Sequence, residues 1–296
     1  MAFIRYRSIS YLLSGALTIL ALALFAGLGL NYGIDFRGGS LIEIQNKAGP
    51  ADLGSLRSTL SGLQIGDVEV QEFGSPDEVL IRVEQQEGGE DAQQVVIEKV
   101  KSALGDSVEY RRVEVVGPKV SSELVQSGAI AVLVAIIAVL IYIWFRFEWQ
   151  FAVGAILATV HDVVLTIGIF AGLQLEFNLS IIAAILTIVG YSLNDTVVVF
   201  DRHRENLRRY KRMPLAELLD KSINQTLSRT ILTSGTTLIA LGALYAFGGE
   251  VIRGFTFAMI WGVVVGTYSS IFVASPLLLL LGVKRDWSGV TQGANV

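Results

Sequence analysis

The 296-residue chain has no cysteine, only two histidines (His161 and His203) and only 17% charged residues. The missing cysteine excludes a disulfide-built fold, a Cys-ligated zinc site and a thiol nucleophile. Two histidines leave a multi-His metal centre without ligands. Soluble domains carry about 25% charged residues. The deficit here accompanies a 52% apolar composition, which excludes a disordered chain and points to a membrane. The net charge of −4 says little until the charges are located.

The charges are unevenly placed. Long apolar runs cover roughly 9–31, 127–145, 150–172, 178–200, 230–248 and 254–282. Each is long enough to cross a hydrocarbon core of about 30 Å as a helix, so six membrane spans are expected. Span one has the basic, apolar and small-residue features of a signal peptide, but its apolar stretch is longer than such peptides use. It is read as a retained helix.

Lys and Arg in the short flanks set orientation. Arg5 and Arg7 precede span one. Arg202, Arg204, Arg208, Arg209, Lys211, Arg212 and Lys221 lie in a basic loop expected at 201–229. Lys284 and Arg285 follow span six, before a tail at 286–296. With six spans, these clusters fall together on the cytoplasmic side of an inner membrane, with both termini. The large connection 32–124 holds 17 Asp and Glu against 9 Lys and Arg and falls outside.

That connection has its own pattern. Leu41–Ile44, Val68–Phe73, Val79–Val83 and Val108–Val116 read as strands, with Gly74–Asp77 as a turn. Leu53, Leu56, Leu60 and Leu63 mark a helix within 50–63, and Val96, Val100, Ala103 and Leu104 mark another over 90–104. The order β-α-β-β-α-β is the ferredoxin-like arrangement. The expected class is therefore a polytopic α-helical membrane protein with an α+β domain between spans one and two. The domain has no His, no Cys and no nucleophile–base pair, so it reads as a binding or moving module and not an enzyme.

The segment 31–40 joins span one to this domain. Gly33, Gly38 and Gly39 suit tight turns or close backbone approach. Asp35 and Arg37 could pair across it. No phosphate-loop lysine follows, and the segment reads as a hinge at the membrane surface.

Charge inside hydrocarbon is costly, so an intramembrane acid is a functional candidate. Asp195, beside Asn194, lies about one and a half turns inside the cytoplasmic end of span four. Arg229, opening span five at similar depth, is its candidate counter-charge, and also suits a snorkelling residue. Thr233, Thr236 and Thr237 follow on span five, either relaying hydrogen bonds or satisfying backbone carbonyls. His161 and Asp162 sit mid-way along span three. Adjacent residues lie about 100° apart on a helix, so they are not expected to point the same way. Asp201 stands where the apolar run stops and reads as a boundary residue. Gly262 and Gly266 form a G-x-x-x-G pair suited to close helix packing.

Taken together, Gly33-Ile34-Asp35-Phe36-Arg37-Gly38-Gly39, His161-Asp162-Val163, Gly190-Tyr191-Ser192-Leu193-Asn194-Asp195-Thr196, Asp201-Arg202, Arg229-Thr230 and Thr233-Ser234-Gly235-Thr236-Thr237 resemble the SecD/SecF family of protein-export membrane subunits. The resemblance runs from span one to about residue 285. It implies one six-helix half of a resistance-nodulation-division (RND) type twelve-helix assembly, with SecD as the other half. It further implies the SecYEG channel, YajC, YidC and an unfolded preprotein as partners. Protons serve as coupling ion and no cofactor is implied. Asp195 and Arg229 correspond to the family's proton-path pair, with Thr233, Thr236 and Thr237 beside them. The rival readings are half of an RND exporter of small molecules or lipids, and a passive structural partner of SecD. An exporter would carry a second large external loop, and the later turns here are short.

Overall fold

The computed structural model describes residues 1–283, so the expected tail and the basic pair Lys284–Arg285 lie outside the described residues. Six helices are long and apolar enough to span a membrane. After a short 3-10 turn come α1 (Arg7–Leu28), then β1 (Asn31–Tyr32), α2 (Ile34–Arg37) and β2 (Gly39–Asn46). The domain continues with α3 (Leu53–Ser61), β3 (Val68–Phe73), β4 (Ser75–Val83), α4 (Gly89–Leu104) and β5 (Val108–Val116). The bundle resumes with α5 (Pro118–Arg146), α6 (Trp149–Leu173), β6 (Glu176–Phe177), α7 (Leu179–Arg209) and α8 (Leu215–Phe247). The last span is α9 (Glu250–Ser269), a π-helical turn (Ser270–Ala274) and α10 (Ser275–Leu280). By connectivity, one end of the bundle carries the α+β domain (the domain side) and the other carries the chain's N-terminus (the N-terminal side).

The domain is a four-stranded antiparallel sheet in the order β3-β4-β2-β5, the ferredoxin-like topology read from the strand pattern. Its core lies between the sheet and the two helices, where Ile42, Ile44, Leu60, Ile81, Val83 and Val100 are fully buried. Asp52 caps α3 by accepting from the Gly54 and Ser55 amides.

The bundle is apolar outside, and its mostly apolar interior also holds buried polar groups. Leu12, Ile19, Leu133, Phe145, Leu232 and Ile239 face outward, while Ser14, Asp162, Ser192, Thr230 and Ser269 are buried. So many large apolar side chains facing outward are unusual on a protein in water and ordinary against lipid. Small residues let the helices approach. A Cβ on Gly262 would meet Ile188 at 2.3 Å, and one on Gly266 would meet Ser192 at 3.1 Å, so the G-x-x-x-G face packs α9 on α7.

Two boundaries differ from the sequence reading. The α5 helix starts at Pro118, inside the segment assigned to the domain. The basic segment 201–229 is mostly helical, because α7 runs to Arg209 and α8 starts at Leu215. Hydropathy marks where hydrocarbon ends, not where the helix does. Beyond that point Asn206 and Leu207 are still buried, facing Leu218, Leu219 and Ser222 of α8, and His203 is buried 3.0 Å from the Ser275 hydroxyl of α10. That packing sustains helix without an apolar run.

The signature glycines are dictated by geometry at one position above the others. Gly39 has φ +116°, and a Cβ there would lie 2.4 Å from the Val83 carbonyl oxygen. Gly39→Ala is expected to lower stability by at least about 2 kcal/mol, combining backbone strain with the clash. Thermal unfolding of the purified chain in detergent, read against a Gly49→Ala control in open space, checks this.

Candidate functional site in the helix bundle

The site starts from Asp162 on α6, which is 1% exposed. A carboxylate so buried needs donors from the protein itself. It has them: Ser192 on α7 and Ser269 on α9 donate to Oδ2 at 2.6 and 2.7 Å. His161 Nδ1 lies 2.9 Å from Oδ1. The offset of adjacent helix positions therefore does not keep His161 and Asp162 apart, because the imidazole reaches back to the next side chain. Both are buried, and Asp162 ties α6 to α7 through Ser192 and to α9 through Ser269.

Asp195 lies on α7 and is partly buried. Thr230 of α8 donates to Oδ1 at 2.7 Å, and Ser270 donates to Oδ2. Ser269 and Ser270 are consecutive, so about 100° of helix rotation aims one at Asp162 and the next at Asp195. They sit where α9 passes into the π turn, a feature frequent at functional sites. Two carboxyl groups on two helices are thus joined through adjacent hydroxyls on a third.

Arg229 is exposed on α8, next to Thr230, and makes no ion pair with Asp195 within 4.0 Å. Thr233 and Thr236 are also exposed, and Asn194 faces outward beside Asp195. The Thr236 and Thr237 hydroxyls donate to the carbonyls of Leu232 and Thr233, each at 2.9 Å. Asp201 pairs with Arg146 of α5, both carboxylate oxygens lying 2.7 Å from Nη2. It stands apart from the buried acids.

The signature loop meets the same helix from the domain side. Asp35 does not pair with Arg37, which is exposed. Its Oδ2 instead accepts from the Leu179 amide at 2.9 Å, at the start of α7. Asn178 caps the same end through Ile181. A carboxylate at a helix N-terminus satisfies free amides and suits the helix dipole. Strand β1 pairs in parallel with β6, just before α7, and Gly33 packs so closely that a Cβ would lie 2.6 Å from Glu176 Oε1. Glu176 in turn pairs with Arg82 of β4 at 2.8 Å. Helix α7 is therefore held to the domain by Asp35 and Glu176, and carries Ser192 and Asp195 further along. Among the described residues no group of His, Cys, Asp or Glu is placed to hold a metal.

Sequence reasoning passed over Ser269, Ser270, Arg82 and Glu176. Adjacent serines in an apolar span were a visible signal. Nothing local marked the Arg82–Glu176 pair, whose partners are far apart in sequence.

This arrangement defines a class: a polytopic membrane protein with intramembrane carboxyl groups hydrogen-bonded between helices and an α+β domain fastened to one of those helices. The profile "Protein export membrane protein SecD/SecF, C-terminal" matches residues 96–284, and the "SecD/SecF GG Motif" profile matches residues 23–45. The chain belongs to the SecD/SecF family. It is 45% identical to the protein translocase subunit SecF of Vibrio alginolyticus, over 97% of this chain and 91% of that one. It is 49% identical to the protein translocase subunit SecDF of Brucella abortus, over 95% of this chain and 37% of the relative. The crystal structure of SecDF from Thermus thermophilus, a translocon-associated membrane protein, superposes with a TM-score of 0.86 at 37% identity, covering 95% of this chain and 38% of that one. A second SecDF structure, in a super-membrane-facing form, gives 0.70 at 36% identity, over 99% of this chain and 40% of the other. The chain thus spans little more than a third of the fused SecDF relatives.

Removing the Asp162 carboxyl leaves Ser192, Ser269 and His161 without their acceptor in a dry interior. Asp162→Ala is expected to cost about 3 kcal/mol or more, and Asp162→Asn clearly less, because an amide oxygen still accepts. Equal losses in denaturant unfolding of the detergent-solubilised chain would contradict this account.

Proposed function

We propose that this chain is a subunit of the Sec protein-export machinery, in which protons moving through the bundle drive motion of the α+β domain and so assist translocation of preproteins. The observation that carries the reading is helix α7. At one end it is capped by Asp35 of the signature loop, and 16 residues further on it bears Asp195. At 1.5 Å per residue, one rigid element spans about 24 Å between the domain junction and the acid.

In this reading Asp195 takes up and releases the proton, with Thr230 and Ser270 as hydroxyl partners. Arg229, Thr233 and Thr236 line the face that the other six-helix half covers, and Arg229 closes on Asp195 when that half is present. Asp162 with His161 is the more deeply buried station behind it. The coupling ion is the proton and no cofactor takes part. One charge crossing 100 mV is worth about 2.3 kcal/mol. That shifts a two-state equilibrium roughly fiftyfold, enough to bias a domain between two positions.

The partner half is SecD, a reading supported by the fused SecDF relatives. SecYEG, YajC and YidC are the further proposed partners, and an unfolded preprotein is the substrate. The protein sits in the inner membrane with its N-terminus in the cytoplasm and its α+β domain outside. The unequal fit to two SecDF structures of nearly equal identity supports a family whose parts shift relative to one another.

With the paired subunit present, Asp195→Asn is expected to abolish the gradient-dependent part of reporter preprotein export while leaving expression and assembly intact. Export at the parental rate would sink the proton reading. Asp35→Ala should cost about 1 kcal/mol of helix capping. It should reduce the same export step while proton uptake at Asp195 persists, which separates coupling from protonation.

A further inference from the structure

Where α5 ends and α7 runs on past the hydrocarbon, Arg146, Arg204, Arg208 and Arg209 converge with Asp201 and Glu205 around a shallow pocket of about 670 Å³. The two acids are already committed. Asp201 takes both its bonds from Arg146, and Glu205 pairs at 2.8 Å with Arg202, which does not line the pocket. Arg204 reaches Asp201 only at 4.0 Å. Positive charge is therefore left over at Arg204, Arg208 and Arg209.

The pocket is partly prepared for a planar or tetrahedral oxyanion. The Arg146 and Arg204 guanidinium groups lie over the ring of Phe147, at 4.9 and 5.5 Å from its centroid. Phe147 itself is buried against Phe151 and Phe200. Stacking on a fixed ring holds the guanidinium forks in place. Arg146 commits Nη2 to Asp201 and Arg204 donates Nη1 to the Arg146 carbonyl at 3.4 Å, and the remaining N–H groups of each can donate to a ligand. Arg208 and Arg209 are exposed and complete the ring of charge.

The height of the pocket identifies the oxyanion. Tyr142, Trp144 and Trp149 surround the end of α5 and are 55%, 67% and 53% exposed, and Phe145 is 85% exposed. Exposed Trp and Tyr settle at the headgroup level of a bilayer. Above them on α5, Ile137 and Ile141 face outward and continue the apolar surface. A ligand with an anionic head at the arginines and apolar chains along α5 fits both features. Basic pockets between membrane helices are a known form of headgroup recognition.

We propose that this pocket binds the phosphate headgroup of an anionic phospholipid. The ligand would contact α5 and the extension of α7, the helix that carries Asp195. Bilayer composition would thereby act on the position of α7. The site stands on its own geometry, independent of any proton reading.

The test uses the full chain in nanodiscs made with phosphatidylglycerol or with phosphatidylcholine, and native mass spectrometry to read retained lipid. Retention of phosphatidylglycerol over phosphatidylcholine is expected. The double variant Arg208→Gln/Arg209→Gln should bind it about thirtyfold more weakly, from roughly 1 kcal/mol per arginine at the surface. Arg208→Lys/Arg209→Lys keeps the charge and should retain most of the binding. Millimolar inorganic phosphate should not displace the lipid. Equal retention of the two lipids, unchanged binding by the Gln variant, equal loss in the Gln and Lys variants, or displacement by free phosphate would each overturn the proposal.

Discussion

An ionisable group inside hydrocarbon must find all its partners within the protein. That constraint organises this bundle. Asp162 is the strongest case: its carboxylate gathers a histidine from its own helix, a serine from α7 and a serine from α9. These bonds fix three helices at one point, and the close glycine packing of α9 on α7 is what lets the short serine side chains reach. The apolar outer surfaces add no comparable specificity, since lipid is as good a neighbour to them as protein.

Helix α7 carries the consequences in both directions. Toward the domain, its free amides are met by Asp35 and Asn178, and the preceding strand is tied through Glu176 to Arg82 in the sheet. Toward the N-terminal side, it carries Asp195 past the hydroxyls of Thr230 and Ser270 and ends among arginines that stack on Phe147. A single unbroken helix thus touches the α+β domain, the membrane interior and the opposite end of the bundle. A change of hydrogen bonding at its middle has a mechanical path to each end.

The spans, the domain's strand order and the candidate acids were legible in the sequence for clear reasons. Hydrocarbon thickness sets a minimum apolar length, and a one-sided sheet sets a period of two. The helix ends were less legible: α7 and α8 continue beyond their apolar runs because Asn206 and Leu207 of α7 pack against α8 there, with His203 held by Ser275 of α10. The role of Asp35 was not legible: the sequence allowed a pair with Arg37, and nothing near Asp35 announces the amide of Leu179 that it accepts from instead.

By itself, then, the sequence determined the class of the protein, because partitioning between water and lipid acts on each segment separately. It also determined that Asp162 and Asp195 are out of place in a membrane and need partners. Which partners they have was decided only in three dimensions. Ser192, Ser269, Ser270 and Thr230 come from three different helices, and a hydroxyl becomes a partner only when packing brings it within about 3 Å. Sequence patterns report on a residue's own helix. The contacts between helices depend on rotation and approach, which the folded bundle alone sets.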